Sequence, residues 1–186
     1  MSIGDAEIKT QKRVIRFFKD PEILGYQYIG NLSDYQNKNI NEDRLRQYLR
    51  LKGYADKLID AAVMQLQQEA GNLSRGVYDA NKTVYSRLKY GIPVSESPEK
   101  PPVTVELIDE ANPLNNDFAI AEEVTVVEQQ EKRPDLVIYL NGIAVAVIEL
   151  KRSSISVSEG IRQNLTNQKD SFIRGFFTTM QFCMAG

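Results

Sequence analysis

The residues best suited to chemistry lie in one short stretch. Asp135 follows Arg133-Pro134, and twelve mostly apolar residues separate it from Ile148-Glu149-Leu150-Lys151. Charge inside a segment that favours burial is costly unless it is paired, hydrogen-bonded or bound to a metal. Two carboxylates supply hard oxygen ligands suited to Mg²⁺, a cation that keeps several waters and takes substrate phosphate as a further ligand. A lysine beside them can hold the attacking water, help deprotonate it, or offset phosphate charge, and two neighbouring carboxylates favour its protonated form. The spacing matches two acids gripping a divalent cation beside a lysine, the core of a metal-dependent nuclease. Acid-x-lysine at a strand end is common by itself; its ordinary role is an ion pair on an exposed edge.

Asn141-Gly142 lies between the two apolar runs and is a strong hairpin signal. Alternation along a strand puts Glu149 and Lys151 on one face, about 6.6–6.8 Å apart along the chain. The turn decides whether Asp135 joins them. A two-residue turn pairs Leu140 with Ile143 and leaves Asp135 opposite Ile148, with Glu149 on the other face. A three-residue loop with Gly142 in a bulge pairs Tyr139 with Ile143 and brings Asp135 diagonally near Glu149. A shared metal therefore predicts the bulged turn, or an equivalent bend near Pro134. Leu136, Ile138, Ala144, Ala146 and Ile148 on one face, and Val137, Val145 and Val147 on the other, predict central strands covered on both sides.

The rest of the chain must position this hairpin. Helices are expected over 5–19, after an Asn41 N-cap up to Gly53, over 55–69 and over 77–90, and finally over 157–177. Strands are expected near Tyr26–Ile29, over 103–108 and 118–127, and in the 135–151 hairpin, with a proline-rich loop at 95–102. Asn116 and Asp117 should cap a turn before Phe118. This order predicts a mixed α/β fold with a central sheet flanked by helices and a helical insertion at about 41–91. The tyrosines are spread over many elements, as core and boundary residues are. Phe172, Ile173, Phe176 and Phe177 form an apolar end expected to be exposed here for docking against a following domain.

Composition narrows the chemistry further. The 186 residues include no histidine, which removes histidine-dependent triads, histidine zinc sites and the usual general base. The lone Cys183 cannot form an intramolecular disulfide and suits a reducing compartment. No apolar run is long enough for a membrane span, and the N-terminus lacks a signal core, so the expected location is cytoplasmic. A net charge of −2 gives no global basic field, so a nucleic-acid partner needs a local patch. Lys9, Lys12, Arg13 and Arg16, and Arg152, Arg162, Lys169 and Arg174, are the cations available for it, with Arg152 and Arg162 the best phosphate contacts because they neighbour the acids.

The segment RPDLVIYLNGIAVAVIELKRS resembles the nuclease motif of the restriction subunit of type I restriction-modification enzymes, a branch of the PD-(D/E)xK superfamily. Asn81 to Tyr85, Leu88 to Gly91, Val103 to Asp109, Asn116 to Phe118 and Gln163 to Phe177 carry the resemblance further, most strongly from Ala80 onward. It implies a restriction-endonuclease-like sheet flanked by helices, with a nuclease core over 1–30 and 103–177. It implies Mg²⁺-dependent cleavage of double-stranded DNA, with methyltransferase and specificity subunits as partners and specificity supplied by a separate subunit. ATP would enter only through motor domains missing from this chain, which has no glycine-rich GxxxxGK[ST] loop; the chain would then be the N-terminal piece of a longer subunit. By position Asp135 and Glu149 match the metal-binding acids, the carbonyl of Leu150 completes the coordination, and Lys151 matches the catalytic lysine. Gln163 matches the glutamine of a Gln-x-x-x-Tyr motif; Asn167 stands where the tyrosine would be and shares its helix face. Glu7 matches an acid that approaches the metal, although a glutamate near a helix start is also favourable to the helix dipole. A rival reading keeps the fold only as a docking module that anchors the motor subunit to its methyltransferase partner, inactive as a fragment.

Overall fold

A computed structural model describes residues 3–151 and 156–186, with side chains from Ile8 onward. The chain opens with α1 (Ile3–Lys19), which ends just before Pro21. Strand β1 (Gln27–Asn31) follows, then three helices: α2 (Glu42–Leu51), α3 (Asp56–Gly71) and α4 (Val77–Tyr90). Asn41 caps α2 as expected, its side-chain oxygen accepting the Arg44 N–H at 3.2 Å. These helices bury Leu45, Leu49, Ile59, Leu66 and Val84 in a core of their own, closed by a small ribbon of β2 (Ile92–Val94) and β3 (Val103–Val105) around the proline-rich loop.

The remaining elements build the sheet that carries the acids. Strand β4 (Phe118–Glu122) is followed by a two-stranded ribbon, β5 (Val126–Val127) and β6 (Glu131–Lys132), and then the hairpin of β7 (Leu136–Leu140) and β8 (Ile143–Glu149). Helix α5 (Val157–Asn167) and β9 (Phe182–Ala185) complete the chain. The sheet order is β1-β4-β7-β8-β9, with β1 parallel to β4, β9 parallel to β8, and the inner pairs antiparallel. The mixed central sheet flanked by helices is the class that the sequence predicts. The hairpin strands are central and covered on both faces. Val137, Tyr139 and Val147 pack with Ile173, Phe176 and Phe177, and Leu136, Ile138 and Ile148 with Ile15 of α1.

Three expectations are corrected. The expected strand at 118–127 breaks after Glu122, where Glu123 takes a left-handed backbone (φ 52°) and Val126 enters a separate ribbon. The last helix stops at Asn167, ten residues before the expected end, and turns and a 3₁₀ segment (Arg174–Thr178) replace its second half, with β9 following. Ile173, Phe176 and Phe177 are therefore core residues at 0%, 1% and 2% exposure, not a docking end; only Phe172 stays half-buried. The sequence pattern misled because residues filling an irregular turn over a sheet are as apolar as a helix stripe.

Candidate active site

The turn is not the three-residue loop that a shared site predicts. Asn141 and Gly142 form a two-residue turn, both with positive φ (52° and 82°), and Leu140 pairs with Ile143. Gly142 is obligatory there: a Cβ would lie 2.6 Å from the Asn41 carbonyl oxygen and 2.7 Å from the Leu45 nitrogen, where α2 begins. The register correction comes further along. Tyr139 still pairs with Ala144, but Ile138 pairs with Ala146, so Val145 is an extra residue in β8. This bulge shifts the remaining pairs by one, giving Val137–Val147 and Leu136–Ile148. The next pair outward is Asp135 and Glu149, on one face. Ala144 consequently joins the face of Val137 and Val147, not that of Ala146.

Glu149 is fully buried. Its Oε2 accepts the Gln163 amide at 2.6 Å, and the Lys151 ammonium lies 3.9 Å from the same oxygen. Its Oε1 is buried with no hydrogen-bond partner among the described residues. Burial above all, then the negative charge of Asp135, pushes the Glu149 carboxyl up from its ordinary 4.5 to about 8, against the opposing pull of Lys151. Asp135 is half-buried, and its Oδ2 accepts the Leu150 N–H at 2.6 Å. The donor set fits a hard divalent cation. Two carboxylates share a face, and one of them presents a desolvated oxygen with no hydrogen-bond partner among the described residues.

Backbone pairing holds these side chains. Beyond β8 the Gly186 N–H donates to the Glu149 carbonyl at 3.0 Å and the Lys151 N–H to the Gly186 carbonyl at 2.5 Å, so β9 fixes the strand end that bears both residues. Helix α5 lies directly on this end because residue 160 is glycine; a Cβ there would stand 2.8 Å from the Ala185 Cβ. That approach lets Gln163, one turn later, reach Glu149. Gly160 escaped the sequence reading, since a glycine inside a helical pattern reads first as a weak spot.

The structure thus brings together Asp135, Glu149, Lys151 and Gln163. The Leu150 amide contacts Asp135, and Leu150 itself is buried. A cleft of about 590 Å³ opens beside them, lined in part by Lys132, Arg133, Lys151, Arg162, Gln163 and Asn167. Gln163 and Asn167 share the lining, as their spacing predicts. Arg162 is exposed and pairs with Glu159. Arg152 and the side chain of Glu7 lie outside the described residues, and Glu7 belongs to α1. Among the described residues no group of three or more His, Cys, Asp or Glu converges as a metal cluster.

The sequence reading also missed the acids at the end of β4. Gln11 of α1 donates to Glu122 at 3.0 Å and to Glu123 at 3.2 Å, and Tyr28 donates to Glu122 at 2.5 Å. The Glu123 N–H binds the Asp135 carbonyl at 2.9 Å, so the β4 end braces the segment holding Asp135. The pairing of β4 with β7 carried that signal, and a single sequence does not reveal it. A larger cavity of about 660 Å³ lies near the hairpin turn, but its charged groups are already paired, Arg44 with Asp117 and Lys52 with Asp109 behind the lining.

Fold and site together define a mixed α/β protein with two acids, a lysine and a glutamine gathered at one sheet end beside a basic cleft. The chain belongs to the family described as type I restriction enzyme R protein N terminus, which it matches over residues 7–186. It is also 33% identical over 97 residues to the putative type I restriction enzyme MjaIXP endonuclease subunit of Methanocaldococcus jannaschii. That alignment covers 48% of this chain and 9% of the relative, so the chain spans a small part of the relative's length. No helix among the described residues is long and apolar enough to cross a membrane.

Proposed function

We propose that this chain is the Mg²⁺-dependent endonuclease part of a type I restriction enzyme, with a PD-(D/E)xK site that hydrolyses DNA phosphodiester bonds. The observation that carries the reading is Glu149, a fully buried acid whose Oε1 has no hydrogen-bond partner among the described residues, facing Asp135 and held by Gln163. Burying an acid this way costs stability, and a fold built only for docking gives no reason to keep it.

Asp135, Glu149 and the Leu150 carbonyl would hold the cation, with Glu7 a further candidate from α1. Bound there, Mg²⁺ lowers the pKa of a coordinated water and offsets charge developing on the phosphorus oxygens. The protein supplies the rest. Gln163 fixes the orientation of Glu149 through its amide. Lys151 holds the attacking water and the scissile phosphate from its place at the cleft wall. Arg162 and Arg152 meet flanking phosphates. Cleavage follows translocation by ATP-driven domains, in a complex with methyltransferase and specificity subunits.

The test is plasmid cleavage with Mg²⁺ by the full-length subunit in its complex, comparing wild type with Asp135→Ala, Glu149→Ala and Lys151→Ala. Each variant is expected to lose about 10²-fold or more, the scale for removing a group that stabilises transition-state charge. Wild-type rates in all three would overturn the reading.

A further inference from the structure

Resting on the nucleic-acid reading of the cleft, a second inference concerns its far wall. That wall is the β5–β6 ribbon, only two residues long on each strand. An isolated ribbon of this size is unstable in water, so something outside it must hold it. Its root is Val126, in the core. Its tip is held by Glu128, whose carboxylate accepts the Gly175 N–H at 2.9 Å and the Phe176 N–H at 2.7 Å. The seat is shaped for it: a Cβ at residue 175 would lie 2.9 Å from Glu128 Oε1 and 3.1 Å from Oε2. The Gln129 N–H adds a bond to the Phe172 carbonyl at 3.3 Å.

The ribbon delivers two cations to the cleft. Lys132 lies with its ammonium 4.8 Å above the Phe172 ring, and Arg133 is exposed beside it. Both line the cleft with Lys151 and Arg162, and neither takes part in an ion pair among the described residues. Four cations against the single carboxylate of Glu159 make this lining strongly basic in a chain of net charge −2. Such a concentration, with no base-reading element nearby, suits the phosphodiester backbone and not a particular sequence.

We propose that Glu128 is a positioning residue that fixes the β5–β6 ribbon, so that Lys132 and Arg133 grip DNA phosphates across the cleft from Arg162. The proposal makes an unusual demand of an acid: removing a negative charge should weaken binding to a polyanion. Simple electrostatics predicts the opposite.

The experiment measures affinity of the 186-residue chain for a fluorescent 30-base-pair duplex at several salt concentrations, with Ca²⁺ in place of Mg²⁺. Lys132→Gln/Arg133→Gln is expected to weaken binding roughly tenfold and to lower the slope of log affinity against log salt by about 2, one for each lost phosphate contact. Glu128→Ala should weaken binding with the slope nearly unchanged, because the cations remain but lose their fixed place; Glu128→Asp should restore part of the affinity. Unchanged or tighter binding by Glu128→Ala overturns the positioning role. An unchanged slope in the double variant, or no binding by the wild type, overturns the phosphate wall. Binding through the ribbon, with no cleavage by the full-length subunit in its complex, would sink only the nuclease reading.

Discussion

The two ends of the β7–β8 hairpin treat buried polar groups in opposite ways. At the turn, Asn141 is fully buried and nearly saturated. Its amide donates to the Leu107 carbonyl and to Asn116 Oδ1, both at 2.8 Å, and its Oδ1 accepts the Asp117 N–H at 2.7 Å. Asn116 in turn bonds Asp109 and Pro113, and Lys52 pairs with Asp109. One buried nitrogen there, Arg44 Nε, lacks a partner among the described residues, on a guanidinium whose Nη2 donates to both Asp117 carboxylate oxygens. At the other end Glu149 is equally buried, yet its Oε1 has no partner among the described residues and burial pushes the carboxyl up to about 8. A closed polar network specifies structure, whereas an open one of the same depth costs stability, which makes that end the candidate for a ligand.

Four substitutions break or sharpen this contrast. The largest stability effect belongs to the closed end. Asn141→Leu removes three side-chain hydrogen bonds and forces a branched residue into a left-handed turn, and should cost about 3 kcal/mol or more, read from the urea midpoint. A loss near zero would mean that the turn network is not what holds β7 to β8.

Next is Glu149→Gln. The folded carboxyl titrates near 8 and the unfolded one near 4.5, so the native state keeps a proton that the unfolded chain releases. The stability this contributes is whole below about pH 4.5 and is lost as pH rises through about 8, by an amount on the order of a few kcal/mol. Glu149→Gln should remove most of that dependence and be the more stable protein at pH 8.5. Superimposable pH curves for the two proteins would erase the difference between the ends. The same proton competes with a cation, so Mn²⁺ affinity should increase between pH 6 and 8.

Gly160→Val tests how the open end is held. Its side chain collides with Ala185 and should cost about 1–3 kcal/mol while separating Gln163 from Glu149. If cleavage by the complex and thermal stability both stay at wild-type level, the close approach of α5 does not set the site. The smallest effect is expected from Gln163→Ala, about 1 kcal/mol in stability, together with weaker Mn²⁺ binding measured by calorimetry. Unaltered metal affinity would leave Gln163 as a packing residue.

Much of this protein was written locally. Residue type alone selected Asp135, Glu149 and Lys151, since charges are rare in strands meant for burial. Asn141-Gly142 announced the hairpin, Asn41 the helix that rests on it, and the two apolar faces the central position of β7 and β8. These signals read well because each depends on a few consecutive residues. The register did not. Every side chain from Val145 onward depends on one bulged residue, and nothing in AVAV distinguishes the extra residue from its neighbours. The tertiary structure alone decided that Asp135 meets Glu149, that Gln163 reaches them past Gly160, and that Glu128 ties a two-residue ribbon to Gly175. Those facts rest on contacts between residues distant in sequence, where packing and backbone pairing choose among arrangements that local preference leaves equal.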